Sequence, residues 1–390
     1  ITYHLNDDKA QALDSVKFPA TYTIEDEIML EIPYTREGQK FLGWYTDKAF
    51  SKTNSITKIT SGSVGNINLY AKWEVAVIPQ IKEPDTYLDL SKYNVIPNDG
   101  KNDAEGIERA LRQASINAAT GEVNTVYLPA GVYNITPQHA YENGDPGISV
   151  MSNTNLIMDN NAILLVEGTE FEDYCVISVQ NKENVTIQGG QIWGERNSHT
   201  GSGGEGGHGI AVYGSTNVTI SGVSVKENWG DGIYLGTKKV RQSDGSQKYI
   251  GCKNVTISNC EIYENRRNNI AIVDADNVMI DGCFIHSAHG IAPQCGILNE
   301  PNQGSVSEDG INRNITIQNT TIRAYQDKDS ASYMVFMTHY NPADKNFTTA
   351  DIITFKNCTL IGYFGNYSGK NLTIDAATRA KMKGTYVNLR

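Results

Sequence analysis

A four-residue phrase returns six times from residue 184 onward: Asn184-Val185-Thr186-Ile187, Asn217-Val218-Thr219-Ile220, Asn254-Val255-Thr256-Ile257, Asn277-Val278-Met279-Ile280, Asn314-Ile315-Thr316-Ile317 and Asn371-Leu372-Thr373-Ile374. The first five Asn residues lie 33, 37, 23 and 37 residues apart. The shortest gap is thus the unit, and the longer ones are that unit with an insertion. Within each phrase the apolar residues sit two apart, the mark of a strand with one buried face. No helical pattern separates the phrases. Short alternating strands at such a period are coils of a parallel β-solenoid, in which each coil buries its apolar row only by stacking on the next at about 4.8 Å. The opening Asn falls at a turn, where its amide can bond the backbone and stack on the Asn of the next coil.

These phrases, and the coils around them over roughly residues 87–390, resemble the right-handed parallel β-helix of the pectate-lyase-like superfamily. The resemblance implies an all-β fold, a right-handed parallel β-helix (solenoid). It implies no single reaction, because that superfamily hosts lyases, glycoside hydrolases, epimerases and phage tailspikes. None of the strict catalytic signatures of its polygalacturonase, pectate lyase or alginate epimerase branches can be read here, so no catalytic residue is carried over.

The entry to the solenoid has its own pattern. Tyr93 to Asp103 is turn-rich, Ala104 to Ala118 has helical periodicity through Ile107, Leu111 and Ala114, and Asp103 stands where an N-cap belongs. This resembles the short amphipathic helix that covers the first coil in pectate-lyase-type proteins. A solenoid end needs such a cap against edge pairing.

Residues 1–76 form a separate unit. The stretches Phe41-Leu42-Gly43-Trp44-Tyr45-Thr46-Asp47 and Gly65-Asn66-Ile67-Asn68-Leu69-Tyr70-Ala71-Lys72-Trp73 resemble the Listeria–Bacteroides repeat, the B-repeat of internalin-type surface proteins, a small β-grasp-like module. That implies an extracellular or bacterial cell-surface protein. Trp44 and Trp73 are expected in the module's core. Residues 77–86, with two prolines, read as a linker.

At 390 residues there is room for two domains and a large core. No apolar run approaches the ~20 residues of a membrane span. The chain starts at Ile1 inside an apparent strand, which reads as a fragment of a longer precursor. A formal charge of −11 excludes nucleic acid as the expected partner. Cys260, Cys283 and Cys358 hold the same place in their coils and read as an inward ladder, and no zinc-type Cys/His spacing is present. No cofactor is called for. Ca²⁺ stays open, since carboxylates and carbonyls suit it but no EF-hand spacing appears. A solenoid of this kind needs no partner for stability, so a monomer is expected.

Candidate chemistry lies in a second recurring phrase. His208-Gly209-Ile210, Asp231-Gly232-Ile233, Asn268-Asn269-Ile270, Cys295-Gly296-Ile297 and Tyr333-Met334-Val335 align on the buried Ile or Val. In a solenoid that alignment predicts one column of His208, Asp231, Asn268 and Tyr333 on an outer face, with Arg267 and Gln294 one step earlier. A column of mixed types is not a packing ladder, so it reads as a site. Insertions at 191–207, 236–251, 286–294, 302–313 and 338–350 are expected to wall a groove there. The Gly-rich run 194–207 delivers Glu195, Arg196, His199 and Glu205 beside His208, Trp229 sits as an aromatic would at a sugar subsite, and Arg266 and Arg267 supply cations. Asn299 and Glu300 close the fifth coil.

Glycoside hydrolysis needs one carboxyl to protonate the leaving oxygen and another to activate water or attack. Asp231 is expected as the central acid or base, partnered by Glu300 or Glu205, with His208 adjusting protonation. Glu195, His199, Trp229, Arg266, Arg267, Asn268, Gln294, Asn299 and Tyr333 are expected to bind a poly- or oligosaccharide. Two other readings stay open. One is β-elimination or epimerisation of a uronic acid, using Arg267 with His208 or Tyr333. The other is a non-catalytic glycan-binding adhesin.

Overall fold

A computed structural model describes residues 1–6, 11–12, 19–30, 34–35, 39–51, 54–56, 58–75, 78–137, 147–301, 312–325, 333–337, 352–366 and 371–388. Two compact units divide between Pro79 and Gln80. In the first, a four-stranded sheet sets strand Thr2–His4 parallel to Asn68–Val75, which pairs antiparallel with Gln39–Tyr45. Trp44, Leu69 and Ala71 are its buried core, and Trp73 packs against them while its indole N–H donates to Leu5 O at 2.7 Å.

The second unit is a right-handed parallel β-helix, 23 strands joined in one continuous ladder. Each full coil contributes three strands to three faces. The recurring phrases stack on the first face, in strands Glu183–Trp193, Thr216–Ser221, Cys252–Ser258, Ala275–Asp281 and Arg313–Gln318. Ser224–Lys226, Glu261–Tyr263, Phe284–His286 and Thr321–Arg323 stack on the second. Cys175–Gln180, His208–Tyr213, Ile233–Gly236, Ile270–Ile272, Cys295–Asn299 and Tyr333–Met337 form the third.

Alternation does what the sequence implies. Val185, Val218, Val255, Val278 and Ile315 pair in register and are buried, as are Ile187, Ile220, Ile257, Ile280 and Ile317 two residues on. Burying one such side chain contributes roughly 1.5–3 kcal/mol, so the stacked rows dominate the stability. All six cysteines are buried. The Asn residues that open the phrases form a ladder: Asn184 donates to Asn153, Asn217 to Asn184, Asn254 to Asn217 and Asn277 to Asn254, each Nδ2 to Oδ1 at 2.8–2.9 Å. All five stand at φ between 50° and 60°, a left-handed conformation that Asn tolerates better than other side chains.

Helix Ala104–Thr120 buries Ile107, Ala110, Leu111 and Ala114 over the first coil. Asp103 takes the N-cap position without a side-chain cap bond. Its Oδ1 instead accepts from Ile96 N–H at 3.0 Å and so ties down the turn before the helix. The expected linker ends earlier than its composition suggests: Ile81 is buried and its N–H donates to Asn160 Oδ1 at 2.7 Å, so this stretch already belongs to the solenoid. Among the described residues no helix is long and apolar enough to cross a membrane.

Candidate active site

The third face carries the second recurring phrase. Its register puts His208, Asp231, Asn268, Cys295 and Tyr333 at one level of successive coils. These residues enter the strands from long turns, and their side chains fold back onto the neighbouring coil. His208 Nδ1 accepts the Asp231 N–H at 3.0 Å; Asp231 Oδ1 accepts the Asn268 N–H at 2.9 Å and Nδ2 at 2.8 Å; Asn268 Oδ1 accepts the Cys295 N–H at 3.1 Å. The mixed column is therefore itself a ladder, held by side-chain-to-backbone bonds. Identical side chains are not required, because each rung needs only an acceptor facing the next N–H.

This settles the burial of several candidates. Asp231 is 0% exposed and Asn268 equally buried, so neither presents its side chain to solvent. Asp231 Oδ2 has no hydrogen-bond donor of its own and faces Arg267 Nη1 at 3.5 Å. Arg267 also reaches Glu205 Oε2 at 3.0 Å; the guanidinium side chain is 11% exposed, the Glu205 side chain 77%. One cation thus links a buried carboxylate to an exposed one.

His208 stacks on Tyr234, ring centroids 4.7 Å apart. Burial lowers its pKa, more than the Asp231 charge raises it. With Nδ1 occupied as an acceptor, the neutral ring carries its proton on Nε2. Tyr234, whose phenol is held protonated well above its usual range by burial, points outward between Ala211 and Ala271 on the same face. Sequence reading passed over Tyr234, although alternation within Gly232-Ile233-Tyr234-Leu235 marks it as outward. Tyr234 and Tyr333 pack on a small outer apolar cluster of Ala271, Cys295 and Leu298.

Glu300 follows the Ile272–Asn299 pair by one residue, and its N–H donates to Ile272 O at 3.0 Å. It is half-buried at the edge of this face. Burial raises its pKa, Arg267 opposes that rise, and Glu205 and Asp231 reinforce it. Glu300, Glu205, Asp231 and Arg267 therefore act on one another as a single electrostatic group.

The other expected contact residues have different places. Asn299 is turned inward at the level of Ile272, buried, and accepts from Asn312 Nδ2 at 2.7 Å. Glu195 is buried, accepting from Tyr174 Oη at 2.5 Å and lying 2.9 Å from His199 Nδ1. His199 stacks on Trp229 at 3.6 Å between centroids, and the Arg266 guanidinium lies 3.7 Å from the same centroid. Two groups that close to one centroid must occupy opposite ring faces, so neither face of Trp229 is open to a sugar. Arg266 further donates to Trp229 O and Gly204 O. This clamp fixes the Gly-rich run that carries Glu205. Gln294 accepts the Gly290 N–H at 2.9 Å within its own loop. Residues 302–311 of the expected insert 302–313, and the whole of insert 338–350, lie outside the described residues. No three His, Cys, Asp or Glu side chains converge as a metal cage among the described residues.

Comparison with known proteins agrees with this architecture. The Listeria-Bacteroides repeat domain matches residues 1–72, and the right handed beta helix region matches 208–376. The uncharacterized protein YclG of Bacillus subtilis strain 168 is 35% identical over 218 residues, 52% of this chain and 36% of that protein. The SPbeta prophage-derived uncharacterized protein YorA of the same strain is 30% identical over 224 residues, 54% and 38%. The chain thus spans just over a third of the length of these relatives. Among solved structures, tailspike protein gp49 of Acinetobacter baumannii bacteriophage Fri1, a capsular polysaccharide depolymerase, superposes with a TM-score of 0.52 at 15% identity, over 78% of this chain and 51% of that one. Residues 1–72 match the Listeria-Bacteroides repeat domain, and a right-handed parallel β-helix follows them.

Proposed function

We propose that the β-helix is a carbohydrate-active enzyme that hydrolyses glycosidic bonds of a poly- or oligosaccharide on its third face, with Glu300 as the proton donor. The observation that carries this is the half-buried Glu300 carboxyl, its pKa raised by burial, beside Arg267 and the exposed Glu205. A carboxyl that keeps its proton to higher pH than an ordinary glutamate is what the leaving glycosidic oxygen requires. Glu205 is the most exposed carboxylate of the group and takes the water-activating or nucleophilic role. Asp231 is a positioning residue: it fixes Arg267, which holds Glu205. That a capsular polysaccharide depolymerase has this fold supports the choice of substrate. A surface or extracellular location accords with the N-terminal repeat.

The competing elimination needs a base for the C5 proton. His208 is poorly placed for that, since Nδ1 already accepts a hydrogen bond and Nε2 bears the proton.

The test is an activity screen of the chain on neutral and uronic-acid polysaccharides with EDTA and Ca²⁺ arms, following reducing ends together with the ultraviolet absorbance of an unsaturated product. Reducing ends without that absorbance, abolished in Glu300→Gln, are expected. Absorbance rising with reducing ends identifies a lyase. Glycan binding with no turnover identifies an adhesin.

A further inference from the structure

Four described cations around this face are already committed. Arg267 divides its guanidinium between Asp231 and Glu205. Arg266 lies flat on Trp229 and spends its N–H groups on Trp229 O and Gly204 O. Lys238 Nζ is bonded to Gln180 Oε1 at 2.5 Å. Arg196, from the same Gly-rich run, turns away to Glu264 O at 2.8 Å and His289 Nδ1 at 3.2 Å. Facing these from the third face and its turns are Asp173, Glu205, Asp231 and Glu300, all of which act on His208 or on one another. His208 is neutral, and Tyr234 keeps its proton. At the centre one positive charge answers two negative ones.

An incoming uronate or sulfate would meet a cation whose field is already cancelled, flanked by carboxylates that repel it. A neutral sugar meets something else. Glu205 is an exposed acceptor, and Tyr234 and Tyr333 on their apolar cluster offer a surface for the C–H face of a pyranose.

We infer that this groove takes an uncharged glycan and discriminates against uronic-acid and sulfated ones, Glu205 being the specificity-determining residue through its hold on Arg267. The inference rests on the third face being the sugar site, as proposed above, but not on hydrolysis taking place there.

Calorimetric titration of the whole chain with neutral gluco- and galacto-oligosaccharides and with oligogalacturonates of equal length tests it. At least one neutral series should bind tenfold or more tighter than the uronate series. Glu205→Gln, an exposed and conservative change, should strengthen uronate binding tenfold or more by freeing one side of Arg267. Tighter uronate binding by the native chain overturns the inference, as does an unchanged uronate affinity in Glu205→Gln or no binding of either class. Neutral glycans bound but never cleaved leave the inference standing and remove the hydrolase reading. Uronates preferred and hydrolysed do the reverse.

Discussion

Asp231 and Asn268, equivalent residues of successive coils, share a two-pronged contact in which Oδ1 of the first accepts both the N–H and the Nδ2 of the second, at 2.9 and 2.8 Å. That contact leaves Oδ2 without a hydrogen bond of its own, facing Arg267 Nη1 at 3.5 Å. Asp231→Ala should therefore cost about 3–5 kcal/mol, since it orphans two donors and strips a nearly buried guanidinium of its buried counter-ion. Asp231→Asn keeps the Oδ1 contact but not the charge, and should cost less than half as much while still abolishing most activity. Urea unfolding of the two variants beside the native chain checks the order. Equal losses would show that the charge, not the Asn268 contact, carries the whole effect.

Glu300 should leave a mark on the pH–rate profile. Its pKa is raised by burial, so the protonated, donating form persists to higher pH than an ordinary glutamate allows, and turnover should fall as pH rises through that raised value. Glu300→Gln should lose this alkaline limb along with about 10²–10⁴-fold in kcat, leaving KM within a few-fold. A limb that survives in Glu300→Gln belongs to another acid.

The outline of the site was legible in the sequence because strand period is rigid. Once Ile210, Ile233, Ile270 and Ile297 were aligned, the level of His208, Asp231 and Asn268 followed. What the alignment could not carry was direction. Asn299 reads like Glu300 in the sequence, yet one residue of alternation puts the first among the core and the second at the rim. Trp229 has the composition of a sugar platform, and only the folding of a distant loop, bringing His199 against one ring face with Arg266 on the other, closes it. Tyr234 was missed for the converse reason: it sits inside a strand phrase whose apolar look concealed its outward face. Contacts between loops 30 to 60 residues apart have no periodic signature, and those contacts decide which polar residues remain accessible.

A second cluster predicts how stability responds to pH. Glu264 sits at a turn with Glu227 and Glu261 around it, opposed by Lys226 and Arg196, and burial with the Glu227 charge pushes its pKa up to about 7. A carboxyl whose folded pKa lies above its unfolded value of 4.5 contributes stability that is complete below 4.5 and lost as pH rises through about 7. Over that window the loss approaches about 1.4 kcal/mol per pH unit from this group. Glu264→Gln should flatten the corresponding part of a plot of Tm against pH. A variant whose plot keeps the native slope would place the titration elsewhere.

The Asn ladder separates backbone from side-chain contributions. Asn217 makes two rungs, donating to Asn184 and accepting from Asn254, both at 2.9 Å, and it holds φ at 57°. Asn217→Ala removes both rungs and also forces a Cβ residue with no local hydrogen-bonding recourse into the left-handed region, at roughly 1–2 kcal/mol for the backbone alone. Asn217→Gly removes the same rungs but adopts that φ without strain. If the ladder works chiefly as a conformational device, Asn217→Gly should lie near the native Tm and Asn217→Ala well below it. If the amide bonds matter more, at about 0.5–1.5 kcal/mol each, both variants should fall together. The residue sits exposed near the start of strand Thr216–Ser221, just before buried Val218, so neither change leaves a core cavity, and the difference between the two melting curves isolates the backbone effect.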